Sequence, residues 1–413
     1  MIYIGFTHFS TYQQLLILIL LNIYNIYYHL CWRRPTVERN GNMNIKIRKS
    51  NLLAGINIVS KAVAVKTTRP ILECILIEAK LGKIKLTANN LTLGIETYVE
   101  GVILEEGTAA VNAKLFYDIV RNLNDSEVDL ITNNDYKMEI KCEKTEFSIP
   151  FWDGTDFPEF PFVEKEQSIT ISQLGLRDIV RQTIFSVSDN ENSRMMTGEN
   201  FQVKDNVLTV TSLDGSRISM RKVALKGDNS DISAIVPGKT LKDVTRIITG
   251  GADDDVTIYF TNSTMLFEFE NTRVVSRLIE GEYFKITHML SMDQSLIVKA
   301  NRQELMGCIS RASLLIQESD RKPIIVKVKN NDIMYIRIDT NRGSFNDYID
   351  IEKEGDEIVI GFNPSFIMDT LSVIDDDKVN IYMKDSKSPC IIKDDEGTFV
   401  YIILPININV DAY

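Results

Sequence analysis

The sequence VNAKLFYDIVR at residues 111–121 has two relatives further along the chain. They read VPGKTLKDVTR at residues 236–246 and IGFNPSFIMDTL at residues 360–371. Each begins as a short apolar strand, passes through a turn or cap, and continues as an amphipathic helix with an aspartate in its second turn. These aspartates lie 125 and 126 positions apart. A repeat of this length has the size of a whole domain, so the segments predict three similar domains in tandem.

A second repeated unit, a strand followed by a helix, opens each predicted domain. The three strands are residues 44–47, 168–171 and 295–298, and the helices are predicted to run through Val59, Ile184 and Leu315. Alternating strands also follow the aspartate-bearing helices, at residues 128–130, 256–260 and 379–382. The pattern indicates an α+β fold of three copies, each with two helices on antiparallel sheets. We predict the domains to be residues 43–165, 166–292 and 293–413.

The composition indicates an acidic protein with little catalytic chemistry. Its 413 residues include 46 basic and 57 acidic side chains, for a net charge of −11, and 44% are hydrophobic. Only one histidine, His288, follows Met43, so most acid–base and nucleophilic mechanisms have no candidate group. The five cysteines lie far apart without a CxxC pair, which favours a reducing, cytoplasmic location. We predict no enzymatic activity, no catalytic residue, no metal site and no cofactor.

The first 42 residues are apolar and allow three interpretations. Residues 15–32 barely reach the length of a membrane span, and two asparagines and a histidine interrupt them. No basic residue precedes this stretch, as a secretory signal would require. Three interpretations fit: translation starts at Met43, residues 1–42 are a genuine extension outside the fold, or they are a membrane anchor. With a membrane anchor, the chain would be a membrane-anchored binding protein. Because the repeat begins at Met43, we expect residues 1–42 to lie outside the fold.

Five segments resemble, in order and in spacing, segments of the bacterial DNA polymerase III beta subunit family, the sliding clamps. They are TRPIL at residues 68–72, ANNLTLGI at 88–95, LDGSRI at 213–218, GFNPSF at 361–366 and YIILPI at 401–406. No single segment is specific. The five in register over three repeats are specific, and the resemblance spans the chain from Met43 to Ile406.

The resemblance implies a function without chemistry. Two copies would close head to tail into a six-domain ring, with helices lining the hole and sheets forming the outer wall. Such a ring encircles duplex DNA and tethers the polymerase, so it needs no tight grip on phosphate. A net charge of −11 is then acceptable, because cations need cover only the inner helices. The implied partners are duplex DNA, a second copy of the chain, and DNA polymerase and clamp-loader subunits bound through short peptide motifs.

In this family a pocket between the second and third domains captures the peptide motifs. The matching positions would form an apolar groove suited to Leu and Phe side chains, although the aliphatic ones fit a domain core equally. They are Met196, Leu213, Gly215, Arg217, Ile218, Phe284, His288, Met289, Asn363, Phe366, Ile402, Ile403, Leu404, Pro405 and Ile406. Phe284 stands where the family commonly has Pro, and His288 stands where Arg is usual. These two differences affect the geometry of the pocket rim and the preference for peptides. The chain also continues past the usual end, from Asn407 to Tyr413.

The resemblance also suggests residues for the DNA and for the seam between copies. The DNA-facing candidates are cations of the predicted helices and one loop, which would otherwise form a salt-bridged surface with nearby acids. They are Lys66, Lys114, Arg121, Arg177, Arg181, Lys239, Lys242 and Arg246. The seam candidates are apolar, and the alternative for them is a domain core. They are Phe147 and Ile149 in the first domain and Leu314 and Leu315 in the third.

Overall fold

The computed structural model describes residues 42–227, 229–286, 289, 295–316 and 322–409. Within these residues the chain forms three similar units in sequence order, and in each unit two helices pack against each other. The helices are α1 (Lys49–Val59), α2 (Ala113–Asn122), α3 (Gln173–Arg181), α4 (Gly238–Ile247), α5 (Arg302–Ser313) and α6 (Pro364–Val373).

The first domain has strands in two sheets that share one long strand. They are β1 (Asn44–Arg48), β2 (Cys74–Lys80), β3 (Lys83–Asn89), β4 (Leu93–Val99), β5 (Val102–Glu105), β6 (Gly107–Asn112), β7 (Glu127–Thr132), β8 (Lys137–Cys142) and β9 (Thr145–Trp152). The shared strand is β9, which pairs with β8 along most of its length and with β6 only at Phe151 and Trp152. One edge of residues 145–150 therefore has no partner strand in the described part of the chain.

The second and third domains repeat this arrangement with variations. The second-domain strands are β10 (Gln167–Ser172), β11 (Gly198–Lys204), β12 (Val207–Leu213), β13 (Arg217–Ala224), β14 (Ile232–Pro237), β15 (Asp255–Phe260), β16 (Thr264–Phe269) and β17 (Thr272–Arg277). The third-domain strands are β18 (Leu296–Asn301), β19 (Ile324–Val328), β20 (Ile333–Thr340), β21 (Gly343–Gly355), β22 (Ile358–Phe362), β23 (Lys378–Met383), β24 (Cys390–Lys393) and β25 (Phe399–Ile403).

The described strands join into two long antiparallel sheets that cross the domain boundaries. One has 13 strands, from β10 at one end through β17 and β4 to β5, and the other has 12, from β14 through β13 and β25 to β22. The first and second domains are linked by the pairing of β17 with β4, and the second and third by the pairing of β13 with β25. Backbone hydrogen bonds therefore cross both boundaries.

The helix starts explain why the repeated segments were recognisable in the sequence. Four of the six described helices begin with an Asn or Ser whose side-chain oxygen accepts a backbone amide of the first turn, a donor that would otherwise be unpaired. These caps are Asn112, Ser172, Asn301 and Asn363. A strand followed by such a cap and an amphipathic helix is a pattern of adjacent residues, so it can be recognised in the sequence alone.

Two of the three predicted helix ends lie too late in the sequence. α3 ends at Arg181 and is followed by a separate 3-10 turn at Ile184–Ser186, and α5 ends at Ser313. In both places a hydroxyl competes with the helical hydrogen bonds. The Thr183 hydroxyl donates to the carbonyl four residues earlier at 2.8 Å, and that of Ser313 does the same at 2.8 Å.

The apolar cores follow the domain plan. One cluster is continuous through the first and second domains and includes Phe116 and Phe201, and a second fills the third domain around Tyr401. Removal of a fully buried ring such as Phe116 costs about 3 to 5 kcal/mol. None of the described helices combines the length and the apolar character that a bilayer crossing requires.

Candidate functional site

A hairpin of the second domain meets the last strand of the third domain, and this contact builds the candidate site. β13 pairs with β25 in antiparallel register, with Arg217 opposite Ile403. The turn between β12 and β13 requires glycine, because Gly215 has a φ of +90°. Asp214 stabilises the turn, since its carboxylate accepts the backbone amide of Arg217 at 3.1 Å.

A pocket of about 230 Å³ opens beside this junction. Its wall is mostly aliphatic and aromatic. It is lined by Leu213, Gly215, Arg217, Ile218, Phe284, Lys285, Ile286, Met289, Ile402 and Leu404. Alternation along the strand separates lining from core: Ile402 and Leu404 face the pocket, whereas Ile403 is 1% exposed in the third-domain core.

Several predicted pocket residues lie elsewhere. Those outside the lining are Met196, Asn363, Phe366, Ile403, Pro405 and Ile406, and His288 lies outside the described residues. Met196 still packs against the apolar cluster behind the pocket. The Asn363 side chain instead caps α6. The Ile406 amide donates to the Gly361 carbonyl at 2.8 Å, so the chain after Leu404 runs beside β22.

Sequence reasoning missed two lining residues, Lys285 and Ile286. They belong to the segment between the second and third domains, which has neither helical nor strand periodicity. Their one sequence signal was position, because they lie between Phe284 and Met289, which were both predicted.

Arg217 is held by both domains at the edge of the pocket. Its Nε donates to Asp214 at 2.9 Å, its Nη1 to Asp369 at 2.6 Å and its Nη2 to the Phe185 carbonyl at 2.6 Å. The guanidinium also lies over the Phe366 ring, 4.5 Å from the centroid. The side chain is 12% exposed. Arg217 was predicted as a pocket residue, and in the structure it also links the second and third domains.

A carboxyl group is buried in the second domain. Glu199 on β11 is 0% exposed, and neither of its oxygens has a hydrogen-bond partner among the described residues. Burial raises the pKa of Glu199 to about 8, against smaller opposing effects of Thr183 and Lys242. The carboxyl is therefore mostly protonated at pH 7. Burial, together with the charge of Glu199, also raises the pKa of Tyr283.

Most of the cations predicted to face DNA are exposed on the surface. They are Lys66, Lys114, Arg121, Lys239, Lys242 and Arg246. The four lysines form no ion pair within the described ranges. Arg121 lies over the Tyr117 ring at 5.8 Å, and Arg246 is 3.9 Å from Asp243. On α4 the exposed positions 239, 242 and 246 share one helix face, as their spacing predicted.

The other two predicted cations have structural partners, although Arg181 is also exposed. Arg177 is half-buried, and its Nη1 donates to the Ile248 carbonyl at 3.4 Å. Arg181 crosses into the third domain, where it donates to Asp375 at 3.0 Å and to the Val373 carbonyl at 3.3 Å. These contacts support the second domain and its junction with the third.

The four predicted seam residues differ in exposure. Phe147 is 40% exposed on β9, and Leu314 is 74% exposed just after α5. Ile149 is 5% exposed in the core of the first domain, and Leu315 is half-buried against the third-domain core. Phe147 and Leu314 therefore expose apolar surface. Ile149 and Leu315 pack inward and hold the segments on which Phe147 and Leu314 lie.

Comparison with known proteins matches every domain of the fold in turn. Models of the N-terminal, central and C-terminal domains of the DNA polymerase III beta subunit match residues 43–161, 170–285 and 287–407. This chain belongs to the beta sliding clamp family. The family resemblance read from the sequence is confirmed, as are the three tandem clamp domains.

Individual clamps show the same relationship over most of their length. The beta sliding clamp of Staphylococcus epidermidis is 30% identical over 374 residues, which cover 88% of this chain and 99% of that protein. A solved structure described as a DNA polymerase III beta subunit of Eubacterium rectale is 52% identical, with a TM-score of 0.86 over 89% of this chain and 100% of that one. The Bacillus subtilis sliding clamp is 28% identical, with a TM-score of 0.87 and the same coverage.

Membership in the sliding clamp family settles the broad class of function. Beta sliding clamps are non-catalytic processivity factors of DNA replication, so this chain is not an enzyme. The family matches give no support to a membrane-anchored binding protein. Residues 15–32, on which that alternative rested, lie outside the described residues.

Proposed function

We propose that two copies of this chain close head to tail into a ring around duplex DNA and hold a DNA polymerase on it. Polymerase and clamp-loader subunits bind through short peptide motifs, and the clamp works in the cytoplasm. The observation that carries the partner-binding part is the pocket of about 230 Å³ at the junction of the second and third domains, which offers apolar depth and few polar groups. Its volume and lining suit a Leu or Phe side chain.

The seam is supported by two free strand edges, one in the first domain and one in the third. Residues 145–150 of β9 pair only with β8, and residues 343–350 of β21 pair only with β20, among the described strands. Each free edge has an exposed apolar residue near it, Phe147 in one case and Leu314 in the other. Pairing of these edges between copies would satisfy the backbone groups and bury both side chains.

DNA contact is assigned to the exposed lysines of the helices, above all Lys239 and Lys242 on α4. Because neither lysine has an ion-pair partner in the described part of the chain, both charges are available to phosphate. The chain as a whole is acidic, with a net charge of −11, which disfavours DNA binding away from these lysines. Retention then depends on ring closure and little on affinity.

We assign residues 43–165, 166–292 and 293–413 to the three domains and leave residues 1–42 outside the fold. The boundary between the first two lies between the matched ranges 43–161 and 170–285. Support for a reducing location comes from the free, buried thiols of Cys74, Cys142, Cys308 and Cys390.

Retention on circular DNA tests the ring directly. The chain would be loaded by a clamp loader onto a nicked circular duplex and passed through a gel-filtration column in high salt. A closed ring stays with the circle and is released once a restriction enzyme linearises it. Equal loss from circular and linear DNA would reject the proposal.

A further inference from the structure

A cleft of about 490 Å³ lies in the second domain, outside the peptide pocket. One wall is β14, the end strand of the 12-stranded sheet. The facing wall includes Gln167 of β10, the end strand of the 13-stranded sheet, and Phe260 of β15. Residues 278–283, which follow β17, form the third side. The cleft therefore opens where both long sheets end in the same domain.

β14 presents a free edge to this cleft. One side of β14 pairs with β11 along the whole strand, and the other makes a single bridge, in which the Ile279 amide donates to the Ile235 carbonyl at 2.9 Å. Backbone groups two residues apart point to the same side of a strand. The amide and carbonyl of Ser233 therefore point toward the cleft, where no described strand covers them. Such an edge is a template for an added strand.

The corresponding edge is covered in the first domain. Thr108 stands five residues before α2, as Ser233 stands five residues before α4. After β9 the chain turns back across Thr108 so closely that a Cβ on Gly154 would lie 2.5 Å from the threonine Oγ1. In the second domain the segment that follows Ile279 takes a different course, and Ser233 is exposed.

The third domain covers its edge with the C-terminal segment. The Ile406 amide bonds to the Gly361 carbonyl, and a Cβ on Gly361 would lie 2.6 Å from the Ile408 Cγ2. Gly361 stands three residues before α6, as Ile235 stands three residues before α4, so this contact matches the Ile279–Ile235 bridge of the second domain. The matched pair that differs is Thr108, which is buried, and Ser233, which is exposed.

The cleft combines negative charge with a small apolar floor. Asp231, Glu280 and Glu282 line it, and no basic residue does. Glu282 pairs with Lys285 at 2.9 Å, whereas Asp231 and Glu280 form no ion pair within the described ranges. Ile232 and Ala234 of β14 are buried at its base. A second copy of this chain would bring the same carboxylates together, and they would repel each other.

We propose that this cleft binds an extended, basic segment of a partner protein, which adds to β14 as a further strand. The strand edge supplies hydrogen bonds to the backbone of the segment, and Asp231 and Glu280 attract lysine or arginine at its exposed positions. The proposal is independent of the peptide pocket. Tyr283 lines the cleft and Phe284 lines the pocket, so the two sites lie on opposite sides of one segment.

The test uses the full chain and a fluorescein-labelled ten-residue peptide of alternating Lys and Val, followed by fluorescence anisotropy. The double variant Asp231→Asn/Glu280→Gln should weaken binding about fivefold, as expected for two exposed charge pairs. The matched control Asp189→Asn/Asp253→Asn removes the same charge from exposed positions of the same domain and should bind like the wild type. Leu404→Asp, which alters the peptide pocket, should also leave binding unchanged.

A second probe separates strand addition from simple charge attraction. The same peptide with every backbone amide N-methylated keeps every side-chain charge and has no donor left to pair with β14. It should bind about tenfold more weakly, the equivalent of one or two backbone hydrogen bonds. Equal binding of both peptides, equal weakening by the two charge variants, or loss of binding in Leu404→Asp would overturn the proposal. So would absence of binding to the wild type.

Discussion

Arg217 in the second domain donates through Nη1 to the Asp369 carboxylate in the third domain, at a distance of 2.6 Å. Asp369 is the third of the repeated helix aspartates, and the first two have no such role. Asp243 is 3.9 Å from Arg246 in its own helix, and Asp118 forms no ion pair within the described ranges. The repeated helix aspartate thus pairs with another domain only in the third domain, next to the peptide pocket.

Replacement of Arg217 by Lys should lower the free energy of unfolding by about 2 kcal/mol. Lysine keeps the charge but cannot reach Asp214, Asp369 and the Phe185 carbonyl together, nor lie flat on an aromatic ring. Urea unfolding followed by circular dichroism measures the change. Arg246→Lys is the matched control, since that side chain is 67% exposed and should change stability by less than about 0.5 kcal/mol. Equal effects would remove the special role of Arg217.

The variant Leu314→Asp should shift the dimer toward monomer. Leu314 is 74% exposed in the single chain, so aspartate costs little there but places an unpaired charge in the seam. Analytical ultracentrifugation would show the shift as a fall in sedimentation coefficient at micromolar concentration. Leu81→Asp, at a position 91% exposed in a hairpin turn of the first domain, should remain dimeric. An unchanged dimer in Leu314→Asp would exclude this residue from the seam.

Peptides that end in a Leu-x-Leu-Phe-like motif should bind with micromolar affinity, about −8 kcal/mol. Leu404→Asp should weaken that binding at least about tenfold, because it places a charge in the apolar lining. Isothermal calorimetry on the two proteins tests this, with Leu81→Asp as the control for an added carboxylate. The pocket assignment is lost if Leu404→Asp binds as tightly as the wild type.

The contribution of Glu199 to the stability of the wild type should fall as the pH rises from about 4.5 to about 8. Over this range folded Glu199 keeps a proton, because its pKa is raised to about 8, while the unfolded chain has lost it near the ordinary value of 4.5. The slope should approach about 1.4 kcal/mol per pH unit, the value for a difference of one bound proton. Glu199→Gln should remove this contribution. The free energy of unfolding of the variant should therefore increase relative to that of the wild type as the pH rises. Unfolding free energies at pH 5.5, 6.5 and 7.5 measure it, with the exposed Glu191→Gln as control. A constant difference between Glu199→Gln and the wild type would contradict the prediction.

The pair Lys239→Ala and Lys242→Ala should reduce the salt dependence of DNA binding. Each phosphate contact that is lost lowers the slope of log K against log salt by about 1. Anisotropy of a short labelled duplex at several salt concentrations gives the slope. Lys204→Ala, an exposed lysine on β11, should keep the wild-type value. An unchanged slope in the pair would place α4 away from the DNA.

Local patterns were predictable from the sequence, and contacts between distant residues were not. The three domains were found because each strand, cap and amphipathic helix lies within a dozen consecutive residues. The alternation of strand β25 was not used, so Ile403 was predicted in the pocket together with Ile402 and Leu404, whereas it lies in the core. By contrast, Arg217 and Asp369 are 152 positions apart, and Arg181 and Asp375 are 194 apart. No periodicity reports such pairs, so Arg181 was read as an available cation.

Lys285 and Ile286 were missed for a related reason. The segment that contains them has no repeating pattern of apolar residues, and its path is fixed by the two domains on either side. The role of Ile406 also depended on a distant partner, Gly361, whose carbonyl holds the chain beside β22.

The pairing of β17 with β4 and of β13 with β25 has a mechanical consequence. Load applied to the two ends of the chain is carried across both domain boundaries by rows of backbone hydrogen bonds, which must shear together before either boundary can hinge. A contact between separate chains can also pair strand edges, but no covalent connection runs across it. In an assembly of two such chains, the compliant element is therefore the joint between the molecules, and each molecule moves as one stiff lever.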